Sequence, residues 1–166
     1  MIDYQEYEAL ARETGAYKDI ELDILKEAFS AWVKKPGSPY TILDLRDGKM
    51  LAGFLVLRRE DTTEYTFNAQ AFCIDPSYLG KGVADKLLAM LEEEILKLAP
   101  SAIVRFETST EKEAAFGAGT LSAKGYSLIG HIPDFYAPAN DYFMYAKHLH
   151  LRRIKDDEGA SKQTEG

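Results

Sequence analysis

Two glycines one residue apart, Gly80 and Gly82, stand between an apolar run that ends in Asp75-Pro76 and a long amphipathic segment. A strand, a Gly-x-Gly turn and a helix bring unpaired backbone N–H groups and the positive end of a helix dipole to one point, which suits a phosphate. Glycine lets the backbone approach an anion closely, and Lys81 and Lys86 add cations nearby. Taken alone, the spacing is equally well explained by a helix that needs a glycine turn at its start. Two better-defined phosphate loops are excluded by register. A P-loop needs a further glycine upstream and Ser or Thr after Gly-Lys, whereas Pro76 to Leu79 precede Gly80-Lys81 and Gly82 follows. A dinucleotide fingerprint needs a small residue where Asp85 stands, and an alternating parallel sheet around it.

Other reactive side chains carry less. Cys73 is the only cysteine, so it forms no intramolecular disulfide and no multi-cysteine zinc site. Set in an apolar run, it reads as a small buried side chain rather than a nucleophile. His148 and His150 share a strand face without an evident third ligand, so no metal is expected. Glu92-Glu93-Glu94 reads as the solvated face of a helix.

The elements that would position these groups follow from periodicity. Tyr4, Tyr7, Leu10 and Ala11 recur at helical spacing, as do Leu22, Leu25, Ala28, Phe29, Trp32 and Val33, with Asp19 as the expected N-cap and Pro36-Gly37 as the stop. Strands are expected over 40–45 and 50–58, joined by an Asp47-Gly48 hairpin turn, and a third over about 63–74. In the third strand Phe67, Ala69 and Ala71 share one parity, but Phe72 and Ile74 put bulk on the other. This predicts a bulge near 71–73, or burial of both faces at the strand's end. A helix carrying Val83, Leu87, Leu88, Leu91, Ile95 and Leu98 leads to a buried strand over 102–108, parallel to the third. A weaker helix over 113–124 and strands over 126–131 and 141–149 complete one domain, 1–151, and a charged, disordered tail is expected over 152–166.

Composition narrows the function classes. The 166 residues are 46% hydrophobic, enough to bury a core. A net charge of −7, from 20 Lys and Arg against 27 Asp and Glu, argues against a nucleic-acid binder. Residues 1–30 hold eight acids and three bases and so carry five of those seven net charges, a hint of a cationic acceptor although a solvated helix face explains them more simply. No stretch has the apolar length of a membrane span, and the start of the chain resembles no signal or transit peptide. A soluble protein of the reducing cytoplasm is expected.

The run Phe72-Cys73-Ile74-Asp75-Pro76-Ser77-Tyr78-Leu79-Gly80-Lys81-Gly82-Val83-Ala84 resembles the acetyl-CoA-binding core of the GNAT family of N-acetyltransferases. Thr14-Gly15, Glu107-Thr108-Ser109, Gly125-Tyr126, Ile132-Pro133-Asp134-Phe135-Tyr136 and Tyr145-Ala146-Lys147-His148-Leu149 extend the resemblance over about residues 14–149. It implies an α/β fold with a mixed, mostly antiparallel central sheet, splayed between two parallel strands and flanked by helices. The family's first strand is missing. It also implies that the backbone of Phe72, Cys73 and Ile74 holds the pantetheine arm, and that Leu79, Gly80, Lys81, Gly82, Val83 and Ala84 cradle the pyrophosphate. Two positions depart from the family pattern: Leu79 replaces the Gln or Arg that opens the loop, and Leu121 stands where a tyrosine often serves as general acid.

The implied activity is direct transfer of acetyl from acetyl-CoA to a primary amine of a small molecule or amino acid. Such an amine is mostly protonated at neutral pH, so a base must assist. Glu107, at the end of a strand flanking the cleft, is the candidate base acting through water, with a structural carboxylate as the alternative. Tyr136 is the candidate acid, with aromatic packing as the alternative. Asn68 and Gln70 are positioned to face the acceptor, or equally to be the solvated side of a strand. A catalytically silent CoA-binding module and a peptide N-terminal acetyltransferase share the same motifs. Neither a nucleic-acid nor a membrane partner is expected, and a homodimer is in keeping with the resemblance.

Overall fold

Residues 3–34 and 37–150 are described by the structure, a computed structural model, so the expected stop at Pro36 and the tail at 152–166 lie outside the described residues. Helix α1 (Tyr4–Glu13) is capped by Asp3, whose carboxylate accepts the Gln5 N–H at 3.0 Å. Helix α2 (Asp19–Lys34) starts one residue earlier than its expected cap implies. The Lys18 carbonyl accepts from Glu21 and Leu22, and the Glu21 carboxylate reaches back to accept the Lys18 N–H at 2.8 Å. Asp19 instead pairs with Arg12 at 2.9 Å and ties the two helices together.

Six strands form one sheet: β1 (Tyr40–Asp47), β2 (Met50–Arg59), β3 (Thr66–Ile74), β4 (Ser101–Ser109), β5 (Ser127–Ala137) and β6 (Asn140–His150). Their order is β1-β2-β3-β4-β6-β5, and every pair is antiparallel except β3–β4. The parallel pair is forced by the crossover through α3 (Val83–Leu98). Among the described residues no strand precedes α1, where the family pattern has one. The sheet buries both faces. Helices α1 and α2 press Tyr7, Leu22, Leu25 and Phe29 against Phe54, Val56, Ala71 and Cys73 on one side. On the other, α3 presses Leu87, Leu88, Leu91 and Ile95 against Leu55, Phe72, Ile74 and Val104.

The parity break in β3 has both of its expected causes. Val56 pairs with Ala71 but Leu57 pairs with Ala69, so Gln70 is an extra residue and the bulge lies just before the expected stretch. Before it Phe67 and Ala69 face the α3 side; after it Phe72 and Ile74 do, while Ala71 and Cys73 turn to α1 and α2. Residues 71–74 are buried on both faces.

Three element boundaries differ from expectation. β3 begins at Thr66, because Glu60 to Thr63 close a hydrogen-bonded turn first. The helix expected over 113–124 is two short ones, α4 (Thr110–Phe116) and α5 (Thr120–Ala123), broken where Gly117 and Gly119 take φ of 110° and 83°. β5 runs on to Ala137 with a protrusion: Ile132 pairs with Tyr142 and Ala137 with Asn140, so β5 spends three more residues than β6.

Candidate active site

β3 and β4 pair only from Thr66–Ile103 to Ala69–Phe106, after which β3 stays with β2, β4 stays with β6, and the two strands part. The Gln70 bulge lies immediately after the last paired residue. It gives the splay a local cause, since an extra residue bends its strand and ends pairing. A cleft of about 390 Å³ lies at one mouth of the opening and one of about 340 Å³ at the other. Between them is a constriction bordered by Tyr17, Ala71, Phe72, Thr108, Lys112 and Phe116.

The smaller cleft is built on the glycine turn. Pro76–Tyr78 form one turn of 3₁₀ helix, held by Asp75 Oδ1, which accepts the Ser77 N–H at 2.8 Å and its hydroxyl at 2.6 Å. Gly80 and Gly82 follow with φ of 76° and 80°, and Gly82 caps α3 without any side-chain hydrogen bond. The amides of Leu79 and Lys81 donate to the Pro76 and Tyr78 carbonyls. Those of Gly80, Gly82, Val83 and Ala84 have no acceptor among the described residues. An anion at the mouth of α3 therefore meets four open N–H groups and the helix dipole. Leu79 is 41% exposed beside them and offers no polar atom, and the Lys81 ammonium rests 5.4 Å from the Tyr78 ring.

Strand β3 supplies the next donors. The Asp75 N–H donates to the Ala52 carbonyl at 2.9 Å. By alternation Cys73 directs its backbone to β2, whereas Phe72 and Ile74 direct theirs into the opening. The Phe72 N–H is met there by the Tyr17 hydroxyl at 3.1 Å. Across the gap, Thr108 Oγ1 is buried with no partner among the described residues. An unpaired hydroxyl in a constriction and four open amides at its outer end fit a ligand with a pyrophosphate and an amide-rich arm, such as CoA. Cys73 itself is fully buried, and burial pushes its thiol up to about 12, so it offers no nucleophile.

The larger cleft brings Glu107 and Tyr136 together. Glu107 projects from β4, and its Oε1 accepts the Tyr142 hydroxyl at 3.1 Å. Tyr136 is held by the protrusion of β5, whose frame is polar. Asp141 accepts the Asp134 N–H at 2.9 Å and meets His131 Nε2 at 2.8 Å, while Asp134 accepts the Ala139 N–H at 2.7 Å. Those bonds sustain positive φ at Asp134 and Ala139, 53° and 61°, which non-glycine residues seldom adopt. Burial, then the carboxylates of Glu107 and Glu21, raise the Tyr136 phenol above its ordinary value, so it stays protonated at neutral pH. Leu121, on α5, is sealed in the core and carries no ionisable group.

Asn68 and Gln70 do line this cleft, and of the eight acids in residues 1–30 only Glu21 does. Sequence reasoning passed over Tyr17, Arg105 and Lys112. Lys112 pairs with Glu21 and lies 4.8 Å from the Tyr17 ring, so it links α4 to the start of α2 across the constriction. Arg105 had a legible signal, a cation two residues before Glu107 on the same strand face; Tyr17 and Lys112 are distant in sequence and had none. The His148 and His150 rings stack 6.5 Å apart without a third ligand among the described residues. No helix among these residues is long and apolar enough to cross a membrane.

Comparison with known proteins agrees with this geometry. The model of the acetyltransferase (GNAT) family matches residues 4–116. A structure from Desulfovibrio desulfuricans, described as a GNAT-family acetyltransferase, is 18% identical with a TM-score of 0.75, covering 87% of this chain and 91% of that one. An aminoglycoside 6'-N-acetyltransferase complexed with coenzyme A is 14% identical with a TM-score of 0.68, over 90% and 92% of the two chains. The ribosomal-protein-S18-alanine N-acetyltransferase of Escherichia coli is 15% identical with a TM-score of 0.67, over 93% and 94%. No curated protein sequence matches. With the family model matching more than half of the chain and the sheet splayed beside a glycine turn, this chain belongs to the GNAT family of acetyltransferases.

Proposed function

We propose that the protein is an N-acetyltransferase that moves the acetyl group of acetyl-CoA directly to a primary amine of a small molecule or amino acid. One observation carries the reading: two clefts meet through the splay, with open amides in one and a carboxylate beside a protonated phenol in the other. Bound acetyl-CoA supplies an activated acyl group. The amides of Gly80, Gly82, Val83 and Ala84 bind its phosphates, and the backbone of Phe72 and Ile74 aligns its arm. Leu79 and Lys81 contribute side chains at the rim, and Cys73 contributes only to the strand. Glu107 takes the amine's proton through water, and Tyr136 acts as the general acid. Because Tyr136 is raised above its ordinary value, activity that depends on its proton persists through neutral pH and is lost only above pH 10. The buried, unpaired Cys73 suits a reducing compartment such as the cytoplasm.

Burial of Leu121 favours one rival, a CoA-binding module without catalysis. Thiol release from acetyl-CoA, followed over a panel of amines, separates the two. Acceptor-dependent release is expected, falling about 10²–10⁴-fold in Glu107→Gln and in Tyr136→Phe. CoA binding without turnover for any amine supports the module, and wild-type kcat in both variants removes these residues from the mechanism.

A further inference from the structure

The larger cleft holds opposite charges that do not meet. Arg105 and Glu107 are two apart on β4 and line the same cleft, with Cα atoms about 6.5 Å apart, close enough for their side chains to pair. Each is instead tied away from the other. The Arg105 Nε donates to Asn68 Oδ1 at 2.6 Å, toward β3. Asn68 is itself oriented, because its amide nitrogen donates to Glu60, and Glu60 is bound by Arg58 at 3.4 Å. Glu107 is drawn toward β6 by the Tyr142 hydroxyl. Among the described residues the two terminal nitrogens of Arg105 have no partner, and neither does the second oxygen of Glu107.

The other charges of the cleft are already compensated. Glu60 is matched by Arg58, and Glu21 by Lys112. What remains is a half-buried guanidinium offering two donors and, beside it, a carboxylate offering an acceptor. The half-buried guanidinium, bonded only through Nε to a neutral amide, gains a counter-charge from a carboxylate ligand, and the exposed Glu107 keeps one oxygen open to a cationic group beside it. The complement of that pair is a zwitterion.

Resting on the reading of the site as an N-acetyltransferase, we propose that the acceptor amine carries a carboxylate, as in a free amino acid, and that Arg105 is the residue that recognises it. The planar guanidinium grips the carboxylate by its two free donors, and the amine then lies toward Glu107. This arrangement disfavours polyamines, which would set a second cation against Arg105, and peptide N-termini, whose nearest carbonyl is a neutral amide.

The test is steady-state thiol release by the full-length protein with free amino acids, each compared with its decarboxylated amine and its carboxamide. We expect kcat/KM to favour the free amino acid about tenfold to a hundredfold over both counterparts. That ratio should collapse toward one in Arg105→Gln and be partly kept in Arg105→Lys, which retains the charge but loses the fork. A wild-type ratio at or below one, or a ratio unchanged in Arg105→Gln, overturns the proposal while leaving the acetyltransferase reading intact. The wild-type arm needs no variant to fold. If no amine of any kind elicits release, the acetyltransferase reading fails and this proposal falls with it.

Discussion

Gly53 on β2 makes the sharpest test of how the sheet places the phosphate turn. A Cβ added there would meet Val83 Cγ1 at 2.9 Å, the Cys73 carbonyl at 3.0 Å and Ile74 Cδ1 at 3.1 Å. The Ile74 methyl is the end of a flexible side chain and can shift, but the other two are held more firmly. The Cys73 carbonyl belongs to the β2–β3 ladder, where Phe54 and Cys73 are opposed, and Val83 is β-branched and 6% exposed as the first residue of α3. Gly53→Ala should therefore cost about 1–3 kcal/mol by overpacking. At about 2–4 °C per kcal/mol for a domain of this size, Tm should fall by about 2–12 °C. Relief is easiest by lifting Val83 from the sheet, which displaces the neighbouring amides of Gly82 and Ala84. A loss on the order of 1 kcal/mol in cofactor binding raises KM for acetyl-CoA about fivefold. Thermal unfolding and an acetyl-CoA titration at saturating acceptor measure both effects. A Tm within 1 °C of wild type, roughly the resolution needed to detect the smallest expected cost, would refute the packing argument. A lowered Tm with unchanged KM would show that Val83 does not set the position of the turn.

Gly82→Ala perturbs the same turn for another reason: nothing lies within 4 Å of the added Cβ, but φ is 80°. A left-handed alanine costs about 1–2 kcal/mol, so Tm should fall by about 2–8 °C, with KM for acetyl-CoA rising as well. Tyr17→Phe removes the acceptor of the Phe72 N–H, at about 1–3 kcal/mol if the group stays unpaired. If CoA meets that amide, CoA should raise the Tm of the variant more than that of wild type; equal increments would show that it does not. Alkaline pH should loosen the fold. Burial raises the Cys73 thiol from 9.0 to about 12, and burial followed by the hydrogen bond to Asp44 raises the Tyr7 phenol from 10.0 to about 12. Both folded values exceed the unfolded ones, so their contribution is complete below pH 9 and is lost as pH climbs to 12, read as a falling denaturant midpoint. Native Cys73 should resist a thiol reagent at pH 8 and react once denatured; full labelling of native protein would place it at the surface.

Much of the phosphate side was readable from local signals. A turn with glycine at 80 and 82 opening an amphipathic helix needs only its neighbours, and the left-handed φ found at both is one that glycine permits. The bulge was legible as a change of parity, but its position was not: Ala69, Gln70 and Ala71 are short or exposed enough that several registers bury the same side chains, and pairing with Val56 and Leu57 selected one. The helix over 113–124 failed because alanine-rich periodicity concealed Gly117 and Gly119, whose positive φ broke it in two. Pro133 and Asp134 are turn-forming residue types and so suggest that the strand stops before them, whereas the Asp141 carboxylate accepts the Asp134 N–H and keeps them within a protrusion of β5.

The sequence by itself determined the alternation of elements, the open N–H groups at the head of α3 and the burial of Cys73, because each rests on periodicity or on the conformational freedom of a single residue type. Only the tertiary structure decided that Tyr17 from the α1–α2 connection would meet Phe72, that Lys112 would reach back to Glu21, and that Asn68 and Tyr142 would hold Arg105 and Glu107 apart. Those contacts join residues up to 91 positions distant. They exist because the parallel pairing of β3 and β4 ends at Ala69 and Phe106, and no local pattern records where two strands will separate.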